Sequence, residues 1–102
     1  MADRLMGAVS LCRKAGRLRM GMDLVCEEVQ KGGVRLVLVA DGVSGRSERK
    51  VREVCEAGKV PVHRLPCTME ELSRVTGKKY GILAVCDEGF AGMIGGLLGS
   101  EA

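Results

Sequence analysis

Side chains able to do covalent or acid-base chemistry are few in this sequence, and they are scattered. His63 is the only histidine. No carboxylate stands at a spacing that would orient its ring, so it lacks the partner that a general base requires. It reads as a strand residue at the solvent edge. There is no GxSxG elbow and no HxxE pair, and the serines are scattered. Catalytic residues and cofactors are therefore not expected. Cys12, Cys26, Cys55, Cys67 and Cys86 form an odd set without a CxxC pair. Each sits singly in an apolar pattern, which implies reduced packing residues. Cys12 precedes Arg13 and Lys14, cations able to stabilise a thiolate, but its place on an apolar helical stripe argues for burial. A zinc site would need several distant cysteines to converge with His63, and nothing in the spacing arranges this. No metal is expected.

Phosphate chemistry has more material. Asp41 to Lys50 reads DGVSGRSERK, a glycine-containing turn feeding a helix. Gly42 and Gly45 give only GxxG, whereas a phosphate loop needs GxxxxGK followed by Ser or Thr. A plain strand-to-helix turn is the expectation. Arg46, Arg49, Lys50 and Arg52 then form a solvated face, with anion contact as the sharper alternative. Two further basic groups stand apart: Arg13, Lys14, Arg17 and Arg19 around the end of the first helix, and the loop Gly77-Lys78-Lys79-Tyr80-Gly81. Residues 1–52 carry 11 basic and 6 acidic groups (+5), and residues 53–102 carry 5 and 7 (−2). A polyanion would be sought on the first half. Aromatic content is 2%, Tyr80 and Phe90 alone, which excludes a base-stacking sheet of the RRM or OB kind. Any RNA bound here is read by shape and backbone.

The elements that would carry these groups follow from punctuation. At 102 residues and 46% hydrophobic, the chain suits one domain spanning 1–102 with a genuine core. The longest apolar runs fall far below the roughly 20 residues of a membrane span. The start, with Asp3 and Arg4, lacks the apolar stretch of a secretory signal, so a cytoplasmic protein is expected. Leu5, Ala8, Val9 and Cys12 recur at helical spacing before Gly16. Met22, Val25, Cys26 and Val29 make a second stripe closed by Gly32 and Gly33, and Val51, Val54 and Cys55 a third closed by Gly58. Thr68 with Glu71 has the form of a capping box for a fourth helix that stops at Gly77. A fifth carries Phe90, Ile94, Leu97 and Leu98 behind an Asp87 cap. Gly89, Gly92, Gly95, Gly96 and Gly99 would let that last helix pack closely on the first, unless they mark a frayed tail.

Leu36 to Ala40 and Ile82 to Cys86 are continuous apolar runs, the pattern of central strands covered on both faces. Val60 to Leu65, with Pro61, and Leu18 to Met20 suit edges. The fold class predicted is α/β: a three-layer α/β/α sandwich with a mixed, roughly four-stranded sheet and about five helices.

Several short motifs carry a family resemblance. RLMGAVSLCRKAGRLRMGMDLV (Arg4 to Val25), RLVLVADGVS (Arg35 to Ser44), VPV (Val60 to Val62), GKK (Gly77 to Lys79) and AVCDEGF (Ala84 to Phe90) together resemble the bacterial YlxQ family. That family is a branch of the ribosomal protein L7Ae/L30e superfamily of kink-turn RNA-binding proteins. The match runs over almost the whole chain, and KAG followed by GMDLV is its most specific part. The resemblance implies the same sandwich, a ribosome-associated role on structured RNA, often at kink-turns, and no catalysis. The partners implied are structured RNA, ribosomal RNA among it, together with ribosomal or translation proteins and no membrane.

In that superfamily the tip of the second helix enters the RNA groove at sheared G·A pairs, and the loop before the last strand covers a flipped base. Carried over by position, the helix contacts fall on Gly21, Met22, Asp23, Leu24 and Glu27, and the loop contacts on Gly77, Lys78, Lys79 and Tyr80. Lys14, Arg17, Arg19, Lys78 and Lys79 would meet phosphates. Where strong kink-turn binders carry Asn-Glu and then Lys, this chain has Asp23, Leu24 and Glu27. Asp23 can cap the helix and accept from guanine amino groups, while Glu27 beside Glu28 repels phosphate. A second reading stays open on those residues: a protein-interaction or assembly module in translation whose RNA face has been repurposed.

Overall fold

The computed structural model describes the chain from Ala2 to Gly99, with side-chain surroundings from Arg4 to Leu98. The described residues form α1 (Ala2–Lys14), β1 (Leu18–Met20), α2 (Met22–Lys31), β2 (Leu36–Asp41), α3 (Gly45–Gly58), β3 (Val62–Thr68), α4 (Met69–Thr76), β4 (Ile82–Val85) and α5 (Glu88–Gly99). The strands lie in the order β1-β4-β2-β3. β2 and β3 run parallel through the α3 crossover, and β4 is antiparallel to both β1 and β2. The two unalternating apolar runs are thus the central strands, and the short β1 and proline-bearing β3 are the edges. Among the described residues no helix is long and apolar enough to cross a membrane.

Successive side chains of a strand point to opposite faces, and here both faces are dry. Leu36, Leu38, Leu83 and Val85 pack with Leu5, Val9, Leu72 and Ile94 from α1, α4 and α5. Val37, Val39, Ile82 and Ala84 pack with Val25, Val29, Val51 and Cys55 from α2 and α3. The sandwich therefore has three layers. Each fully buried Val or Leu contributes about 1.5–3 kcal/mol, so the strands are fixed in register from both sides.

Several local details differ from the sequence expectation. α3 closes not on Gly58 but on Lys59, which takes the left-handed conformation at φ 59. Gly58 is needed for room, since a Cβ there would lie 2.9 Å from Val29 Cγ1. β3 begins at Val62 rather than Val60 and continues through Pro66 to Thr68. On an edge Pro66 has no neighbour to disappoint, and Pro61 contributes its carbonyl to Val37 N (3.0 Å) from outside the strand. The glycines of α5 do not form a packing seam. The helix buries Ile94 and packs Phe90, Ala91, Leu97 and Leu98 inward, while Gly92, Gly95 and Gly96 have nothing within 4 Å of a Cβ position. Gly89 would meet only Asp87 Oδ2, at 3.2 Å, and the surroundings of Gly99 lie outside the described residues.

Other expectations are met closely. Thr68 and Glu71 form the reciprocal capping box, and α4 stops at left-handed Gly77. Asp87 Oδ2 accepts from Phe90 N (2.9 Å) at the start of α5. Cys12, Cys55 and Cys67 are buried and all five cysteines are free. Burial pushes the Cys12 thiol up to about 11, with Cys86 and Asp87 adding to the rise and Arg19 opposing it. A thiol so shifted is a packing group and not a nucleophile.

Among the described residues Glu48 is the one charged residue that is buried, and the pattern does not announce it. It faces inward from α3, where its carboxylate accepts from Arg64 Nη2 (2.7 Å) and Arg52 Nε (2.9 Å). Those two guanidinium groups hold its carboxyl down at about 2. Arg52 stays exposed, as expected for it, while its guanidinium bonds Glu48 and, with Arg64, ties α3 to the edge strand.

Candidate nucleic-acid interface

β1 ends one residue short of α2, and that residue is Gly21. Its amide donates to the Ile82 carbonyl (3.0 Å), which locks the turn to the start of β4. Its backbone sits at φ 98, ψ 140, a conformation open essentially to glycine alone. No side chain caps α2 at this end. Asp23 was the sequence candidate for that cap. It lies inside the first turn instead and remains exposed, near enough to favour the helix dipole without bonding an amide. The tip of α2 therefore presents its first amides uncovered.

The second segment is the loop from Gly77 to Gly81. It is tied at both ends. Gly77 takes φ 78 and bonds back to Ser73, and buried Thr76 donates through Oγ1 to the Lys78 carbonyl (2.9 Å). At the other end Gly81 is wedged between Val43 and Met69. A Cβ there would overlap Val43 Cγ2 and lie 2.8 Å from Met69 Sδ. The carbonyl of Gly81 accepts from Ala40 N (2.7 Å), which extends the β4 ladder. Between these anchors Lys78, Lys79 and Tyr80 are exposed.

The two segments touch. The Tyr80 ring lies over Gly21, with Cε1 3.3 Å from where a Cβ at that residue would sit. A cleft of about 240 Å³ opens beside the contact, lined by Gly21, Met22 and Ile82 together with Lys79, Tyr80 and Gly81. Val43, Ser44, Ser47 and Met69 complete its lining. The chemistry available is that of a polyanion site: two lysines, an uncapped helix tip, and a glycine that permits close backbone approach. Arg13 joins them, its Nη2 3.6 Å from a Cβ position at Gly77.

The candidates chosen from sequence thus divide. Gly21, Met22, Lys79 and Tyr80 share the cleft, Asp23 stands one residue along α2, and Gly77 and Lys78 belong to the adjoining loop. Lys14 is exposed at the end of α1. Arg17 and Arg19 are carried the other way. Leu18 pairs with Val85, at the far end of β4 from the cleft, and the Arg17 carbonyl accepts from Cys86 N (2.8 Å). Arg19 is spent on Glu28 (3.3 Å) and on the carbonyls of Gly16 and Leu18. Leu24 is 42% exposed, and Glu27 pairs with Lys31 at 3.1 Å on the open face of α2. Sequence reasoning did not assign Arg13 to the loop, nor Val43, Ser44 and Ser47 to the cleft. The DGVSGR turn was the available signal, and its lack of a phosphate-loop pattern hid it. Among the described residues no His, Cys, Asp or Glu cluster is arranged to hold a metal.

Comparison with known proteins bears on this face. The model of the ribosomal protein L7Ae/L30e/S12e/Gadd45 family matches residues 3–93. The RNA-binding protein YlxQ of Bacillus subtilis (strain 168) is 32% identical over 91 residues, spanning 88% of this chain and 90% of that protein. The RNA-binding protein YlxQ of Enterococcus faecium is 26% identical over 89 residues, spanning 87% and 85%. Among solved structures, a Bacillus halodurans protein described as of unknown function superposes with a TM-score of 0.89 at 25% identity, over 94% of this chain and 97% of its own. The Giardia lamblia 15.5kD RNA binding protein superposes with a TM-score of 0.75 over 97% and 85%, and at 15% identity the likeness is one of fold.

Proposed function

Because this chain belongs to the ribosomal protein L7Ae/L30e/S12e/Gadd45 family, we propose that it binds structured RNA through the tip of α2 and the Gly77–Gly81 loop. The observation that carries this reading is the seat of Tyr80 on Gly21, which joins an uncapped helix end and a lysine-bearing loop into one approachable surface. The relatives named for RNA binding support it. The role is one of binding and not of catalysis, in the cytoplasm and in association with ribosomes, with ribosomal RNA and translation proteins as partners. The RNA feature that fits is a kink-turn-like bend: backbone contacts from Lys14, Lys78 and Lys79 position the strand, and Gly21, Met22 and Asp23 meet base edges. Arg17 and Arg19, which the sequence placed with them, do not face this cleft.

The test is a titration of a fluorescein-labelled kink-turn hairpin at several salt concentrations, with Lys78→Ala and Lys79→Ala alongside. Each lost phosphate contact lowers the slope of log affinity against log salt by roughly 0.7 to 0.9. Absence of binding, or binding indifferent to salt, counts against the proposal.

A second reading, an assembly module whose RNA face is repurposed, draws on Leu24, an exposed apolar residue beside acidic Glu27. Its mark is a co-purifying translation protein that survives nuclease treatment and is lost on Leu24→Lys.

A further inference from the structure

The start of α3 contributes to the lining of the cleft, and the proposed face leaves that helix unused. Ser44 and Ser47 line the cleft together with Lys79 and Tyr80. Along the same helix, Arg46, Arg49 and Lys50 recur at i, i+3 and i+4. That spacing sets three cations on one face of the helix, and all three are exposed. The inward face of α3 is Glu48, Val51 and Cys55, so the basic face points to solvent. Lys50 stands near Cys26 of α2, whose thiol burial raises while the Lys50 ammonium partly opposes the rise.

These three cations have no ion-pair partner among the described residues. Glu48, the acidic residue in the first turn of α3, is already occupied by Arg52 and Arg64. The arrangement works against the helix. Cations in the first turns oppose its dipole, Arg46 and Lys50 repel one another at i, i+4, and acidic Glu53 and Glu56 lie toward the wrong end. The Ser44 cap favours the first turn, and Glu53 and Glu56 share a pocket with Arg49, but among the described residues no ion pair closes on the three cations. A polyanion that continues from the cleft onto α3 would pair with them.

We propose that Arg46, Arg49 and Lys50 form a second phosphate-contacting arm, which holds the RNA backbone flanking the segment seated between α2 and the Gly77–Gly81 loop. The inference rests on the RNA-binding reading above. It enlarges the footprint from one helix tip and one loop to the exposed face of α3, and it requires an RNA that continues past the bend.

The experiment compares the full chain with R46Q/R49Q/K50Q, with K78A/K79A, and with a control, K31Q/R35Q/K59Q, whose residues are placed at the other end of the sheet layer. Two probes are used: a minimal kink-turn hairpin, and the same motif with a long flanking duplex. All three α3 positions are exposed, and melting followed by circular dichroism checks that the variant is folded. On the long RNA the α3 variant is expected to lose roughly 2 to 3 from the salt slope, as three phosphate contacts would give. On the minimal hairpin it should stay close to the unaltered chain, and the control should change little on either. A wild-type slope for the α3 variant on the long RNA, with K78A/K79A still reducing it, overturns the arm and leaves the loop reading standing. Equal losses on both probes, or in the control, overturn its placement on flanking backbone. If neither K78A/K79A nor the α3 variant alters binding, both readings fall together.

Discussion

Gly21→Ala tests the geometry of the cleft most directly, because two independent features of the structure make it costly. The first is the backbone: φ 98 with ψ 140 is a region that L residues other than glycine enter at a cost of about 1–3 kcal/mol. The second is the contact, since the new methyl would approach Tyr80 Cε1 at 3.3 Å. Tyr80 is 41% exposed, so its ring can yield a few tenths of an ångström, and the contact is the smaller component. The chain then has two responses. It can hold the strained peptide, in which case urea unfolding reports a loss of about 1–3 kcal/mol with binding unchanged. It can instead relax that peptide and give up the Gly21–Ile82 bond. Stability then largely recovers, and RNA affinity falls by about 5- to 150-fold, the same energy read as binding. The two losses must sum to at least about 1 kcal/mol. Combination with Tyr80→Ala apportions the causes: a coupling below about 0.5 kcal/mol fits a backbone origin. Unchanged stability together with unchanged affinity in the single variant would refute the geometry of the helix entry, and a large coupling would reassign its cost to the ring.

Other perturbations reach neighbouring parts of the design. Gly81→Ala forces a methyl between Val43 and Met69 and should cost about 1–3 kcal/mol in urea unfolding, with partial recovery in the Val43→Ala background. Thr76→Val removes the hydroxyl that holds the Lys78 carbonyl. It should lower stability by about 1 kcal/mol and broaden the amide resonances of residues 77–80 in a nitrogen-15 spectrum. Glu48 has a folded pKa of about 2, below its unfolded value, so its stabilisation is whole above about pH 4.5 and is lost as pH falls toward 2. Glu48→Gln should destabilise by about 1–3 kcal/mol at pH 7 and flatten acid unfolding through that window; an unchanged acid profile would reject the assignment.

What the sequence disclosed and what it hid follow one physical division. The unalternating apolar runs of β2 and β4, and the capping box of Thr68 and Glu71, are local patterns whose causes lie within a few residues, and they can be read directly. Gly58 illustrates the limit. A glycine at the end of a helical stripe suggests a left-handed cap, yet the structure uses it to clear Val29 of a different helix and gives the left-handed position to Lys59. Glu48 is similar, since its burial depends on Arg64 arriving from a strand beyond the end of α3.

The cleft itself turns on the same distinction, in the form of direction along a strand. Arg13, Lys14, Arg17, Arg19 and Gly21 crowd together in the sequence, which invites treating them as one basic patch. β1 separates them. Its three residues pair antiparallel with β4, so that Leu18 meets Val85 while Met20 meets Leu83 and the Gly21 amide reaches Ile82. Arg17 is left near Cys86 at one end of the sheet and Gly21 near the Gly77–Gly81 loop at the other. Arg19 points to the α2 face, where Glu28 neutralises it. Arg13 escapes this sorting because it precedes the strand and has a side chain long enough to reach Gly77. The cations that reach the cleft and its loop, Arg13, Lys78 and Lys79, therefore come from groups remote in the sequence, at the ends of α1 and α4. The pairing of β1 with β4 decides that Arg17 and Arg19 are not among them.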